Sequence, residues 1–153
     1  MPKPQTDGYL EAALRRADQA EAKYHSLIEM VPDITYAEDL DSGRTFAISP
    51  QVETILGYTQ EEWMGDASLC VDRIHPDDRD RVVAACELAN QAGEPYSAEY
   101  RMFALDGHIV WIRDEAVLVR GSNGQPLCWQ GVMREITPQT DGDGSGMTST
   151  IED

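Results

Sequence analysis

The sequence has little of what marks secreted, membrane-bound or nucleic-acid-binding proteins. Lys and Arg number only 12 among 153 residues, against 28 Asp and Glu, and the formal net charge is -16. A surface this acidic repels phosphate backbones and anionic lipids, so nucleic-acid and membrane partners are not expected. No apolar run approaches the roughly 20 residues that cross a bilayer, and the N-terminus lacks a signal-peptide pattern. We therefore expect a cytoplasmic protein.

Cysteine is scarce, and catalytic motifs are missing. The three cysteines, Cys70, Cys86 and Cys128, are odd in number and have no C-x-x-C spacing, which argues against a disulfide framework or a zinc site. We expect them to be small buried hydrophobes in a reducing compartment. The sequence has no Gly-rich phosphate loop, no nucleophile elbow and no clustered set of His and carboxylate residues. Neither an enzyme nor a metal site is predicted.

Changes in composition divide the chain into four parts. Residues 1–8 carry two prolines and no pattern, and we expect them to be disordered. Residues 9–31 contain no Gly or Pro and favour a helix. A single domain core follows over 32–137, a length sufficient to bury one hydrophobic core. Residues 138–153, rich in Gly, Ser, Thr and acid, predict a flexible acidic tail.

The predicted N-terminal helix has a heptad-like apolar seam. Its residues alternate spacings of four and three, with one interruption at Glu21, as in short coiled coils. The seam is compatible with a helix that lies on its own domain or with one that pairs two subunits. If it pairs subunits, the interface residues are Leu10, Leu14, Ala17, Tyr24 and Ile28.

Short elements with turn and cap signals fill the first half of the core. Residues 33–38 and 45–48 predict two strands joined by a turn, and Ser49 is positioned to cap a short helix that ends at Gly57. Thr59 and Glu62 have the spacing of a capping box. A longer helix starts at His75, whose side chain is placed to cap it, and ends near residue 93. Residues 65–73 give no clear assignment.

Three β-type segments dominate residues 96–137. Asp106-Gly107 separates the first from the second and is a strong hairpin signal, because this pair tolerates the positive φ angles of a tight turn. A second turn signal at residues 122–124 precedes the third segment. The pattern predicts three consecutive antiparallel strands.

Four blocks in this order resemble the PAS domain family, in particular the PAS fold-3 subgroup. The blocks are Ile55-Leu56-Gly57-Tyr58-Thr59-x-Glu61-Glu62-Trp63, Ile74-His75-Pro76-Asp77-Asp78-Arg79, Asp106-Gly107-x-x-Val110-Trp111-Ile112 and Trp129-Gln130-Gly131-Val132-x-x-Glu135-Ile136-Thr137. One departure is Glu135, where the family usually has Asp. The resemblance implies an α+β PAS fold: a five-stranded antiparallel sheet with short helices on one face, preceded by the N-terminal amphipathic helix.

Haem and flavin, two cofactors of this family, are not expected here. Haem-binding members supply an axial histidine from the long helix, and residues 77–92 contain none. Photoactive flavin-binding members carry a reactive cysteine that would fall near Ser68. Cys70 lies close by without the flanking motif, and Met133 replaces the glutamine that contacts flavin in that subgroup.

A pocket for an uncharged organic ligand, between the sheet and the helices, remains open. The alternative is that the same side chains simply fill a packed core. The candidate residues are Ile34, Tyr36, Ile48, Ile55, Trp63, Tyr100, Trp111 and Trp129. Separately, residues 141–152 match the ligand positions of an EF-hand calcium loop but lack its flanking helices.

The resemblance implies a sensory and dimerisation module of bacterial signal transduction. We expect a homodimer that responds to a small-molecule ligand or to dimer rearrangement and acts on a downstream output domain or protein. A ligand-free scaffold for protein–protein interaction is the alternative. A sensor needs a pocket, whereas a scaffold does not.

Overall fold

The computed structural model describes residues 5–137, with side chains from residue 8 onward. The chain divides into two compact units at the Pro32–Asp33 boundary. The first contains one helix, α1 (Gln5–Met30), which begins four residues before the predicted start. Within residues 8–30 every side chain is exposed or half-buried. None of the helices within 5–137 combines the length and the apolar character that a membrane span requires.

The second unit is an antiparallel sheet covered by helices, as the sequence predicted. Its strand order is β2-β1-β5-β4-β3, so β5 lies at the centre and the chain closes the sheet by placing β5 beside β1. The strands are β1 (Ile34–Asp39), β2 (Thr45–Ile48), β3 (Tyr96–Phe103), β4 (Ile109–Arg120) and β5 (Pro126–Glu135). The helices are α2 (Gln51–Leu56), α3 (Gln60–Gly65), α4 (Leu69–Arg73) and α5 (Pro76–Ala92).

Side chains alternate between the two faces of each strand, and this alternation decides what the sheet buries. In β4, Val110, Ile112, Asp114 and Ala116 are buried, whereas the residues between them are half-buried or exposed. Asp114 is thus a charged residue in a row that is otherwise apolar. The buried face, here called the inner face, packs against the helices and forms the core with α2, α3 and α5.

Helix ends follow the predicted caps with one correction. Thr59 and Glu62 form the capping box of α3, and His75 Nδ1 accepts the Asp77 N–H at the start of α5. Ser49, however, does not cap α2. Its hydroxyl oxygen accepts the N–H of Thr35 at 3.0 Å instead, because Ser49 is buried against β1, and Pro50 occupies the N-cap position of α2.

Two further local features differ from the sequence expectation. The unassigned segment 65–73 contains α4, a helix of only five residues. The cysteines are not buried: Cys86 is exposed, and Cys70 and Cys128 are half-buried. The tail 138–153, including the EF-hand-like stretch 141–152, lies outside the described residues.

A buried ion pair joins α5 to β3 and so fixes the wall of the domain to its sheet. Asp78 Oδ2 accepts the Arg101 backbone N–H at 2.9 Å, and Asp78 Oδ1 accepts the Arg101 Nη2 at 2.8 Å. These charge-assisted hydrogen bonds hold the pKa of Asp78 well below its usual range. The first turn of α5 is therefore anchored at the β3 edge of the sheet.

Candidate functional site

A cavity of about 290 Å³ lies between the inner face of the sheet and the helices α4 and α5. This volume is at the lower end of the roughly 300–1,000 Å³ of small-molecule pockets. All five strands contribute to its lining, β2 through Thr45, and the β1–β2 turn contributes Gly43. The core is therefore not packed solid at this position.

Three of the eight predicted pocket residues line this cavity: Tyr36, Tyr100 and Trp129. Four others are in the core but not at the cavity. Ile34, Ile48 and Trp63 are buried, and Ile55 packs against them partly exposed.

Trp111 lies on the other side of the sheet. It is half-buried between the buried residues Val110 and Ile112, so the strand alternation directs it to the outer face. There the Arg101 guanidinium lies over its ring, 5.5 Å from the ring centroid, a cation–π contact. Trp111 thus has a structural partner away from the cavity.

Asp114 is the central polar residue of the cavity, and it was missed by the sequence analysis. Its carboxylate accepts two hydrogen bonds, from the Tyr36 hydroxyl to Oδ1 at 2.6 Å and from the Tyr100 hydroxyl to Oδ2 at 2.9 Å. Burial nevertheless raises the pKa of Asp114 to about 6, because desolvation outweighs the two hydrogen bonds that favour the charged form. The sequence pattern that could have identified it is the two-residue alternation of β4, which places the Asp114 carboxylate on the same face as the apolar residues that point inward.

Gly131 allows the Tyr36 side chain to reach Asp114. It pairs with Tyr36 on one side and with Ala116 on the other. A Cβ at Gly131 would collide with the ring and hydroxyl of Tyr36. The small residue at the centre of the sheet therefore leaves room for a tyrosine to lie across β5.

A second carboxyl group, Glu38, lines the same cavity from β1. Desolvation, and then the negative charge of Asp114, raise its pKa to about 7. The ionised carboxylate of Asp114 thus disfavours ionisation of Glu38. Of the described residues, those that line the cavity include four carboxyl side chains and no Lys, Arg or His. Neither Glu38 nor Asp114 is therefore balanced by a basic side chain of the described lining.

Tyr96 adds a third tyrosine to the lining. It is only 7% exposed, and its hydroxyl oxygen has no hydrogen-bond partner of ordinary geometry among the described residues. The Cys86 thiol is its polar neighbour. Desolvation raises the pKa of both groups, because the thiol faces the cavity wall although the Cys86 residue as a whole is exposed. A buried hydroxyl without a partner is costly unless a ligand or water completes it.

Trp129 closes the cavity between β5 and α5. Its indole Nε1–H donates to Asn90 Oδ1 at 3.0 Å. Because both residues line the cavity, an occupant that displaces either one changes the contact between the sheet and α5.

The described residues offer no group of three or more His, Cys, Asp or Glu side chains that could hold a metal ion. None of the three histidines lines the cavity. His25 is on α1, His75 caps α5, and His108 is exposed beside Asp106. Met133, at the position of the flavin-contacting glutamine, is buried in the core.

The predicted dimer seam lies entirely on α1. Leu10 and Leu14 are each 60% exposed, and Tyr24 is 41% exposed. Ala17 is exposed as well, whereas Ile28 is half-buried.

Comparison with known proteins identifies the family. Residues 45–133, more than half of the chain, match the sequence profile described as PAS fold. The chain is 35% identical over 83 residues to a methyl sulfide methyltransferase-associated sensor of Methanosarcina acetivorans, covering 54% of this chain and 8% of that protein. It is 28% identical over 128 residues to the two-component sensor PprA of Pseudomonas aeruginosa, covering 81% of this chain and 13% of that protein.

A solved structure agrees with these relatives. The N-terminal domain of a diguanylate cyclase with PAS/PAC sensor from Marinobacter aquaeolei is 32% identical, with a TM-score of 0.60 over 67% of this chain and 94% of that domain. The chain thus spans about a tenth of the length of the curated sensors but nearly all of a solved PAS domain. Together with the five-stranded sheet and its helical cover, these matches show that the chain belongs to the PAS fold family, as a sensory module of the kind found in bacterial signalling proteins.

Proposed function

We propose that the signal read by this PAS module is a small organic molecule bound in the cavity between the sheet and α5. The observation that carries the proposal is the cavity itself, about 290 Å³ with aromatic and aliphatic walls and a few buried polar groups. This is the usual composition of a small-molecule site. The role is regulatory rather than catalytic, in a cytoplasmic protein.

The contacts around the cavity provide a route from ligand to sheet. Asp114 is hydrogen-bonded to β1 through Tyr36 and to β3 through Tyr100, and Trp129 connects β5 to α5 through Asn90. An occupant that competes for any of these bonds changes the relative positions of strands and helix. A ligand shifts an equilibrium only through differential contacts with its two states, and these hydrogen bonds are where such contacts would differ.

The cavity is tested by filling it. Ala116 lines the cavity from β4, and Ala116→Leu adds apolar volume to it. Val117→Leu is the matched control, because Val117 follows directly in β4 and is 52% exposed on the outer face. Both variants are compared with the wild type by native mass spectrometry, without refolding, and by a thermal-shift screen of small organic compounds.

We expect a reproducible added mass, or a set of stabilising compounds, in the wild type and in Val117→Leu but not in Ala116→Leu. Compounds that stabilise all three proteins equally would contradict binding in the cavity. A screen in which no compound raises the melting temperature, together with a clean native mass, would favour the ligand-free scaffold.

Pairing of two copies is the second function that we propose. The observation that favours it is the row of exposed apolar residues on α1, including Leu10 and Leu14. Exposed apolar seams of this kind are typically covered by a partner. In this proposal, ligand binding biases the arrangement of a homodimer, which then acts on a downstream output domain or protein. The test of the seam is given in the Discussion.

A further inference from the structure

The cavity contains buried negative charge with no positive charge to balance it. Among the described residues, Asp114 accepts side-chain hydrogen bonds from Tyr36 and Tyr100 alone, and both are neutral donors. Glu38 adds a second carboxyl group, and the lining includes no basic side chain among the described residues. Buried charges in proteins are normally paired, because an isolated one is expensive to desolvate. The carboxyl groups of the cavity therefore lack a basic partner in the described lining.

We propose that the ligand is a small organic cation, an ammonium ion whose charge is balanced by the carboxylates of Asp114 and Glu38. This inference rests on the proposed function and specifies the class of molecule that the cavity takes.

The aromatic lining suits the same class of ligand. Tyr36, Tyr96, Tyr100 and Trp129 all contribute to the walls, and aromatic rings attract cations through their negative faces, most strongly when water is excluded. A ring cluster combined with carboxylates is a common way to recognise alkylammonium groups. The Tyr96 side chain is 93% buried, and its hydroxyl has no hydrogen-bond partner of ordinary geometry among the described residues. Its oxygen can accept a hydrogen bond from an N–H group or a hydroxyl of the ligand.

The other ligand classes fit less well. An anion would meet two carboxyl groups and no basic group of the described lining. A neutral ligand would fill the volume but would leave the charge of Asp114 unpaired. Outside the cavity, the net charge of -16 raises the local concentration of cations and favours their encounter with the protein.

The experiment compares cations with uncharged molecules of the same shape. Isothermal titration calorimetry is performed with choline against neohexanol and with butylammonium against butanol. We expect the cations to bind at least about tenfold more tightly than their neutral counterparts, since only the cations gain the charge pairing. Equal affinities within each pair would overturn the cation proposal and leave the proposed small-molecule function standing.

Three variants locate the binding charge. Glu38→Gln and Asp114→Asn each remove one negative charge with little change of shape, and we expect each to weaken the binding of the cation by about tenfold or more. Glu115→Gln is the matched control, because Glu115 is exposed on the outer face of β4 beside Asp114. Should Asp114→Asn fail to fold, Glu38→Gln provides the test alone, since Glu38 is only half-buried.

Proton release gives a readout that a purely structural role would not change. A cation that pairs with Glu38 and Asp114 displaces protons from them, so the observed binding enthalpy at pH near 6 depends on the ionisation enthalpy of the buffer. The other titratable groups at the cavity or beside it are Tyr36, Asp39, Cys70, Cys86, Glu87, Tyr96, Tyr100 and Glu115. Binding without proton release, or binding unaffected by Glu38→Gln, would overturn the proposal.

The outcomes also distinguish the two proposals. If library compounds stabilise the protein but no ammonium ion binds, the cation proposal fails and the proposed small-molecule function stands. If no compound binds at all, both proposals fail.

Discussion

The Tyr36 hydroxyl donates a 2.6 Å hydrogen bond to Asp114 Oδ1, although the two residues are 78 positions apart in the chain. The bond crosses β5 above Gly131, the residue that pairs with Tyr36 in the sheet. Tyr100 donates to the other carboxylate oxygen from the opposite side. The buried carboxylate of Asp114, on β4, thus connects β1 to β3 at the wall of the cavity.

Asp114 makes the stability of the domain depend on pH. Its pKa is raised from 3.8 to about 6, so the folded protein holds the proton more tightly than the unfolded chain. The stability that this proton confers is complete below about pH 4 and is lost as the pH rises through 6. A change of one in pKa corresponds to about 1.4 kcal/mol, and the expected loss is therefore about 3 kcal/mol.

Asp114→Asn removes this dependence. Relative to the wild type, we expect the variant to gain roughly 2–3 kcal/mol in free energy of unfolding between about pH 4 and pH 8. Urea unfolding at several pH values measures the difference, and Asp80→Asn, at an exposed position of α5, serves as the control. A constant difference between variant and wild type across this range would show that the carboxyl of Asp114 does not titrate as described.

Gly131→Ala tests the close approach of Tyr36 to β5. The added methyl group collides with the tyrosine ring, so the ring has to move and the bond to Asp114 is lost. We expect destabilisation of about 1–3 kcal/mol, as for other overpacked cores. Gly65→Ala is the control, because no atom lies near the position of its new Cβ. A Gly131→Ala protein as stable as Gly65→Ala in urea would contradict the interpretation.

Most helices and strands could be predicted from local sequence patterns, because these patterns agree with the tertiary structure. The Asp106-Gly107 turn is present, with Gly107 at φ 93, and the capping box at Thr59 is formed. Ser49 shows where such reasoning fails: it has a capping residue's chemistry, but the tertiary contact with Thr35 takes its hydroxyl. The helix α4 was not predicted, because five residues are too few to show the hydrophobic periodicity of a helix.

The candidate site was harder to predict from the sequence, since a cavity depends on how side chains from distant elements fill space. Tyr36, Tyr100, Trp129 and Trp111 were all expected at the pocket that the family resemblance implies between the sheet and the helices. Period-two alternation separates these cases: Trp111 lies between two buried neighbours and belongs to the outer face. The same alternation along β4 places Asp114 on the inner face. Composition alone suggested neither assignment.

Asp78→Asn is expected to weaken the attachment of α5 to the sheet. The side chain of Asp78 is 10% exposed and receives charge-assisted hydrogen bonds from Arg101, each of which typically contributes about 1.5–3 kcal/mol. We expect the free energy of unfolding at neutral pH to fall by about 2–3 kcal/mol. Asp80→Asn, on the exposed side of the same helix, is the control.

The pH profile of the Asp78 variant provides its check. Because the pKa of Asp78 is held well below its usual range, the stability that it contributes is present above about pH 4 and is lost as the pH falls further. Wild type and Asp78→Asn should therefore become more alike in acid. Destabilisation that is as large at low pH as at neutral pH would mean that packing, rather than the ion pair, is responsible.

The apolar seam of α1 is tested by introducing charge. Leu10 and Leu14 are each 60% exposed, and Leu10→Glu/Leu14→Glu places like charges opposite each other wherever two seams meet. We expect the dimer dissociation constant, measured by sedimentation velocity, to rise by at least about tenfold, because burying an unpaired charge in an apolar seam costs more than 1.4 kcal/mol. Leu27→Glu/Met30→Glu is the matched control, with two charges added on the same helix at residues that are 62% and 78% exposed and lie outside the seam. A monomeric wild type would show that these leucines do not pair two copies. An equal effect of the control would show the same, since charges inside and outside the seam would then act alike.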